Sequence, residues 1–198
     1  MRTALVLASV FSLAACHPEI ATGTYACGPE TSCPEGQACD QTTDLCVNLG
    51  SEHAFACGGD DREPDNDLAT ATVISGLTCV SSAHLLSSCI ENMDTLDLAT
   101  FATPAGCTAS AVSVVLDFPD AYEPLQVSLT AADGTTVLAT DAPCKSDMAD
   151  DGRTSRCLVA PVDSTTTYAL RVEPTGEGDC GGACAYNRYR LSVQLTTR

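Results

Sequence analysis

The feature that most limits how this chain can fold is its cysteine content, thirteen cysteines in 198 residues. Four of them lie within residues 24–48 in the spacing C-x5-C-x5-C-x6-C, with prolines and glycines between them. A segment this short cannot bury enough apolar surface to fold on that alone. Two disulfides would have to stabilise it, each by about 2–4 kcal/mol. The sequence therefore predicts a small disulfide-stapled module at residues 24–48.

The connectivity of this module is open, because four cysteines allow three pairings. We favour the interleaved arrangement, Cys27 with Cys39 and Cys33 with Cys46. The pattern C-P-x-G-x-x-C-x6-C, which begins at Cys33, resembles small cysteine-rich modules near the start of many myxobacterial surface lipoproteins. Two functions remain open for the module: a spacer or a protein contact.

The first cysteine has different surroundings from the others. Arg2 supplies a positive start, and residues 4–15 are apolar or small. A helix of this length cannot cross a bilayer core of about 30 Å, so residues 1–15 are typical of a signal peptide. The quartet Leu-Ala-Ala-Cys that ends at Cys16 resembles the lipobox of bacterial lipoproteins. The resemblance implies cleavage before Cys16, a lipid on its thiol and a membrane-anchored tether at residues 16–23. The alternative is ordinary secretion, with Cys16 in a disulfide.

The residue after the lipobox bears on localisation. His17, and not Asp, follows the cysteine. By resemblance to Gram-negative lipoproteins, this favours the outer membrane over retention in the inner membrane. Whether the chain faces the periplasm or the cell surface stays open. Twelve cysteines remain once Cys16 is set aside, and an even set in an exported chain is typical of disulfides. A reduced zinc-binding set is the competing interpretation, but no histidines lie at zinc spacing.

Four further disulfides are predicted from the positions of the other cysteines. One closes a loop around an acidic turn, one closes a tight Cys-Gly-Gly-Ala-Cys turn where glycine tolerates positive φ, one crosses a hairpin, and one follows by elimination. In that order they are Cys144–Cys157, Cys180–Cys184, Cys79–Cys89 and Cys57–Cys107.

The composition excludes some classes of partner. The formal net charge is −17, and such a surface repels nucleic acid and anionic lipid headgroups. The chain has no tryptophan and few other aromatic residues, which does not favour a carbohydrate platform of stacked rings. The acidity suits divalent cations or basic partners, or solubility alone.

The rest of the chain has a β pattern. Residues 49–62 are a turn-rich linker, and residues 63–198 contain short runs rich in β-branched and alternating apolar residues, separated by glycine turns. No long apolar pattern of helical period appears, so the sequence predicts an antiparallel sandwich. The predicted strands cover residues 110–118, 124–131, 135–140, 155–162, 167–174 and 187–197.

Ordered landmarks in this region resemble a known family. They are EPDND at 63–67, DTLDLATF at 94–101, LQVSLTAADGTTVL at 125–138 and YALRVEP to YRLSVQL from Tyr168 to Leu195. Together they resemble a bacterial pre-peptidase C-terminal domain. The resemblance implies a jelly-roll-like β-sandwich without catalytic activity, of a kind usually appended to exported enzymes. No peptidase precedes it here, and the region has more cysteines than is usual in the family.

The resemblance also implies a calcium site. Hard oxygen ligands in an extended loop suit Ca²⁺, which takes six to eight of them. The acidic entry segment and a D-x-x-D pair match positions in the calcium-binding collagen-binding domains related to this sandwich. The implied ligands are Glu63, Asp65, Asp67, Asp94 and Asp97. The alternative is an acidic linker without a metal.

No catalytic pattern is present. The three histidines, His17, His53 and His84, are not in metalloprotease or nucleophile motifs, and His84 is predicted to be a strand residue. The sequence favours a non-catalytic surface lipoprotein, a binding or adhesion module for an unknown protein or polymer. A structural or accessory envelope lipoprotein that partners an exported enzyme is the first alternative, and a cryptic hydrolase is the second.

Overall fold

The computed structural model describes residues 21–54, 57, 62, 64–80, 82–90, 95–107, 110–144, 152–176 and 186–197. Within these ranges there are twelve β-strands, one short 3₁₀ turn and no α-helix. The strands are β1 (Gln37–Asp40), β2 (Leu45–Asn48), β3 (Thr72–Ile74), β4 (His84–Ile90), β5 (Asp97–Ala102), β6 (Ser110–Pro119), β7 (Leu125–Ala131), β8 (Val137–Thr140), β9 (Ala142–Pro143), β10 (Arg153–Val162), β11 (Thr167–Pro174) and β12 (Asn187–Thr197).

Ten of these strands form a β-sandwich. One sheet has the order β4-β12-β6-β10-β9 and the other has the order β3-β5-β11-β7-β8. All neighbouring strands are antiparallel except β3 and β5. The prediction of an all-β, antiparallel sandwich preceded by a disulfide-stapled module is therefore confirmed.

The period-2 pattern of the long strands explains the two-sheet architecture. In β12, Tyr189, Leu191, Val193 and Leu195 are buried, while the residues between them point away from the core. The inward side chains of both sheets belong to one hydrophobic cluster. Fully burying a side chain of this kind stabilises the fold by about 1.5–3 kcal/mol, so the alternation determines which face of each strand packs inward.

The predicted strands agree with β6, β7, β8, β10, β11 and β12 to within two residues at each end. His84 is the first residue of β4, as predicted. The edge strand β4 was not predicted as a whole. Its open edge is partly covered, because the Arg62 guanidinium donates to the carbonyl oxygen of Ser87. Such a contact occupies a backbone group that an exposed edge offers to other chains.

The cysteine-rich module is a two-stranded hairpin, β1 paired with β2, and an isolated bridge joins Ala26 to Leu45. Its disulfides join Cys27 to Cys39 and Cys33 to Cys46, the interleaved pairing favoured from the sequence. The sulfur-rich centre takes the place of a larger apolar core, which a segment of this length cannot build.

Three more disulfides lie in the described residues. Cys144 pairs with Cys157, as predicted. The predictions Cys79–Cys89 and Cys57–Cys107 are wrong, because the structure has Cys57–Cys89 and Cys79–Cys107. The reason is that Cys89 lies near the far end of the extended strand β4, five residues after His84, whereas a disulfide needs Cα atoms about 4.4–6.8 Å apart. Cys16, Cys180 and Cys184 lie outside the described residues.

Among the residues that the structure describes, no helix is long and apolar enough to cross a bilayer.

Candidate functional site

The module docks on the sandwich through the turn that joins β1 to β2. The Tyr122 hydroxyl donates to Oδ1 of Asp44 at 2.8 Å and lies 3.2 Å from the carbonyl oxygen of Gln41. The Arg188 guanidinium donates to the carbonyl oxygens of Gln41 and Thr42 and lies 3.7 Å from the Asp44 carboxylate. Two side chains of the sandwich therefore bind the backbone and the one carboxylate of this turn.

Apolar contacts complete this junction. Tyr122 and Ala121 share a buried cluster with the module cysteines Cys27, Cys39 and Cys46. Burial, and then the Asp44 carboxylate beside it, raises the pKa of the Tyr122 phenol far above its usual value, so the hydroxyl keeps its proton and remains a donor.

The backbones of the two units also approach closely. Gly152, just before β10, lies against Ala26, and a Cβ on Gly152 would be 2.5 Å from the Ala26 Cβ. The φ angle of Gly152 is +74°, a conformation that glycine adopts at no steric cost. Glycine is therefore required here for two reasons, the backbone conformation and the space.

The same turn of the module is held from its other side by the linker. Asp40 is buried, and its Oδ1 accepts the backbone N–H groups of Thr42 and Thr43. Its Oδ2 lies 2.5 Å from Nδ1 of His53. The hydrogen bond with His53, followed by those with the turn, lowers the pKa of Asp40 from 3.8 to about 2. The first residues of the predicted linker, up to His53, thus fold back onto the module.

A groove of about 650 Å³ opens where the module meets the sandwich. It is lined on the module side by Tyr25, Pro29, Pro34 and Leu45 and on the sandwich side by Gly152. Tyr25 is half exposed. No described residue that lines the groove is charged, although the chain as a whole carries −17. The groove therefore suits a ligand that is uncharged where it enters, bound by ring faces and backbone groups.

A second polar cluster lies between the two sheets. The Tyr189 hydroxyl of β12 donates to Oδ2 of Asp97 in β5 at 2.7 Å, and both residues are buried. Asp65 is buried nearby: its carbonyl oxygen accepts the Leu98 N–H at 2.9 Å, and its Oδ2 lies 3.4 Å from the Thr72 hydroxyl. Burial, and then the Asp97 carboxylate, raises the pKa of Tyr189 well above its usual value.

The implied calcium ligands divide into three groups. Asp65 and Asp97 are both buried, and their carboxylates accept from different hydroxyls, those of Thr72 and Tyr189. Asp67 is exposed, and its Oδ1 accepts from Ala69 and Thr70 within its own turn, which lowers its pKa. Glu63 and Asp94 lie outside the described residues.

The described residues contain no group of three carboxylates at ligand distance from one another. Their single three-residue group is Cys27, Cys33 and Cys46, and all three sulfurs are in disulfides. A calcium site at the implied ligands therefore stays a prediction.

The docking residues Tyr122 and Arg188 were missed from the sequence, because nothing local marks a side chain that bonds a turn about 80 or 146 positions away. Asp40 had a local signal. It precedes Gln-Thr-Thr, and an Asp at the start of a turn commonly accepts the N–H groups two and three residues further on.

Comparisons with known proteins found similar structures and no similar sequences. No family model matches the chain, and no curated protein matches it. Among solved structures, it is similar to the pre-peptidase C-terminal domain of a Bacillus anthracis collagenase, at 13% identity and a TM-score of 0.37, over 63% of this chain and 93% of that one. It is also similar to PliG from Aeromonas hydrophila, a periplasmic inhibitor of g-type lysozyme, at 9% identity and a TM-score of 0.39, over 63% and 95%.

Proposed function

We propose that the chain is an exported, non-catalytic binding or adhesion module, anchored to the outer membrane by a lipid on Cys16. Five disulfides in the described part of the chain support export, because such bonds persist in oxidising compartments and are rare in the cytosol. The lipobox-like sequence that ends at Cys16 supports the anchor.

The observation that carries the binding role is the uncharged groove at the junction of module and sandwich. Its volume of about 650 Å³ lies within the range of ligand sites, about 300–1,000 Å³. The groove is lined almost entirely by the module, and the two disulfides of the module largely set its shape before a ligand arrives. We propose that it binds an uncharged part of an extracellular or envelope protein or polymer.

The anchor is tested by replacing Cys16 with alanine and following the protein in detergent-phase partitioning. We expect the variant to leave the detergent phase. If the variant still partitions with membrane, Cys16 is not the site of a lipid anchor.

The groove is tested with the soluble Cys16→Ser chain, immobilised and exposed to envelope and matrix fractions. Tyr25→Ala removes the half-exposed ring from the groove, and Val159→Ala removes a more exposed apolar side chain from β10. We expect Tyr25→Ala alone to reduce recovery of the ligand. Equal recovery of the ligand by the two variants would exclude the groove as the binding site.

The alternative, an accessory lipoprotein that partners an exported enzyme, is favoured by a different observation. Val137 and Leu138 are each half exposed on β8, an edge strand of its sheet, and exposed apolar edges suit protein contacts. Recovery of one enzyme that is lost in Val137→Lys, and unaffected by Tyr25→Ala, would support this alternative.

A further inference from the structure

The two ends of the cysteine-rich module have different neighbours. At one end of the β1–β2 hairpin is the turn that binds Tyr122 and Arg188 of the sandwich. At the other end Gln37 pairs with Asn48, and the chain continues to Leu49. The two ends are about 10 Å apart, because the four residues of β1 span three steps of about 3.3 Å each. We call this second end, Gln37 and Asn48 to Gly50, the distal tip.

The chain enters the module at the distal tip. The Thr22 hydroxyl accepts the backbone N–H of Asn48 at 3.2 Å, and the Gly23 N–H donates to the carbonyl oxygen of Cys46 at 2.7 Å. Thr22 is six positions after Cys16. Six extended residues reach about 20–22 Å at most. A lipid on Cys16 would therefore hold the distal tip within that distance of the bilayer surface.

The distal tip carries a side chain suited to this position. Leu49 is an apolar side chain, and it is 67% exposed at this end of the module. It lies in the turn in which the Ser51 N–H donates to the carbonyl oxygen of Asn48 at 3.0 Å, so it projects from an ordered backbone. The linker then returns from the tip to the docking turn, where the His53 carbonyl oxygen accepts the Gln41 N–H at 2.9 Å.

From this geometry we propose that the module is a rigid pedestal whose distal tip rests on zwitterionic lipid headgroups, with Leu49 inserted among them. The inference depends on the lipid anchor of the proposed function. Zwitterionic lipid is the occupant, because the net charge of −17 repels an anionic surface. The docking turn faces away from the bilayer, so the sandwich stands beyond the module and the groove stays accessible.

The test uses the absence of tryptophan from the chain, which makes one introduced tryptophan a unique fluorescent reporter. The chain from residue 16 onward is produced without lipid, and the Cys16 thiol is coupled to a maleimide lipid in phosphatidylcholine vesicles. Leu49→Trp reports on the distal tip. Val159→Trp is the matched control, because Val159 is 69% exposed on the far part of β10. Equal melting temperatures of both variants and the parent chain verify folding.

We expect brominated phosphatidylcholine to quench Leu49→Trp several-fold more than Val159→Trp, with a blue shift of the first alone. Quenching in neither variant, or equal quenching in both, would overturn the pedestal. Replacing part of the phosphatidylcholine with phosphatidylglycerol should weaken the quenching, and stronger quenching would overturn the choice of zwitterionic lipid. Since the lipid is attached chemically, the result is independent of whether cells acylate Cys16.

Discussion

Tyr122 and Asp44 are 78 positions apart in the sequence and are joined by a hydrogen bond of 2.8 Å between the phenol and Oδ1. The bond connects the loop between β6 and β7 to the turn of the cysteine-rich module. With the Arg188 contacts and the close approach of Gly152 to Ala26, it makes the module part of the same folded unit as the sandwich. We therefore expect the two to unfold together.

Removing the Tyr122 hydroxyl tests this junction. Tyr122→Phe keeps the ring in its cluster and loses the bonds to Asp44 and Gln41, so we expect a loss of about 1 kcal/mol in the free energy of unfolding. Urea denaturation with intact disulfides measures it, and amide exchange of residues 40–44 should rise. Tyr25→Phe is the control, because Tyr25 is half exposed in the groove. An equal effect of both substitutions would contradict the role of the bond.

The close approach of Gly152 to Ala26 can be tested with two glycine-to-alanine variants. Gly152 and Gly76 both have positive φ, +74° and +78°, but no described atom lies within 4 Å of a Cβ on Gly76. Alanine at either position costs about 1–2 kcal/mol for the backbone conformation. Gly152→Ala should cost about 1–3 kcal/mol more, because its Cβ overlaps Ala26. Thermal unfolding compares the two, and equal losses would mean that the module does not press on Gly152.

The acid dependence of stability should include Asp40. Its pKa is about 2 in the folded chain and 3.8 in the reference state, so its charged form is favoured by folding. A lowered pKa stabilises the fold above about pH 4, and the contribution is lost as the pH falls toward 2. We expect the urea midpoints of wild type and Asp40→Asn to differ at pH 5 and to converge toward pH 2. A difference that does not change with pH would contradict this origin.

Calcium binding by the acidic entry segment stays a prediction. If the site exists, calcium at 100 times its dissociation constant adds about 2.7 kcal/mol to the stability, and the melting temperature rises by several degrees over that in chelator. Asp94→Asn with Asp97→Asn should abolish the calcium-dependent increment, and Asp150→Asn with Asp151→Asn should keep it.

Asp97→Asn could also lower the stability by weakening the hydrogen bond with Tyr189, whether or not calcium binds, and a further variant controls for that effect. Tyr189→Phe removes the hydrogen bond to Asp97 and leaves the carboxylate in place. It should lower the melting temperature in calcium and in chelator alike. Equal melting temperatures of the wild type in the two solutions would exclude the site.

Peptide mapping under non-reducing conditions should recover Cys57 linked to Cys89 and Cys79 linked to Cys107, as the structure has them. We also expect Cys180 linked to Cys184, a prediction from their spacing alone. Alkylation before reduction should label none of these six cysteines. A peptide that joins Cys57 to Cys107 would contradict the connectivity.

Several elements were predictable because their information is local. Strands such as β6 and β12 alternate apolar and polar residues with period 2, and this pattern alone determines which face is buried. The interleaved bridges of the module are close in sequence, so few pairings competed. By contrast, the prediction for Cys57, Cys79, Cys89 and Cys107 was wrong, because their pairing depends on how segments far apart in the sequence pack together.

The candidate sites divide in the same way. The acidic entry segment and the lipobox-like sequence at Cys16 are contiguous and visible in the sequence. The groove, the Tyr122–Asp44 bond and the Tyr189–Asp97 bond join positions that are far apart in the chain. The sequence alone determined the β class, the stapled module and the strand faces, because short-range periodicity and spacing encode them. Only the tertiary structure decided how module and sandwich meet, because long-range contacts depend on the packing of the whole chain.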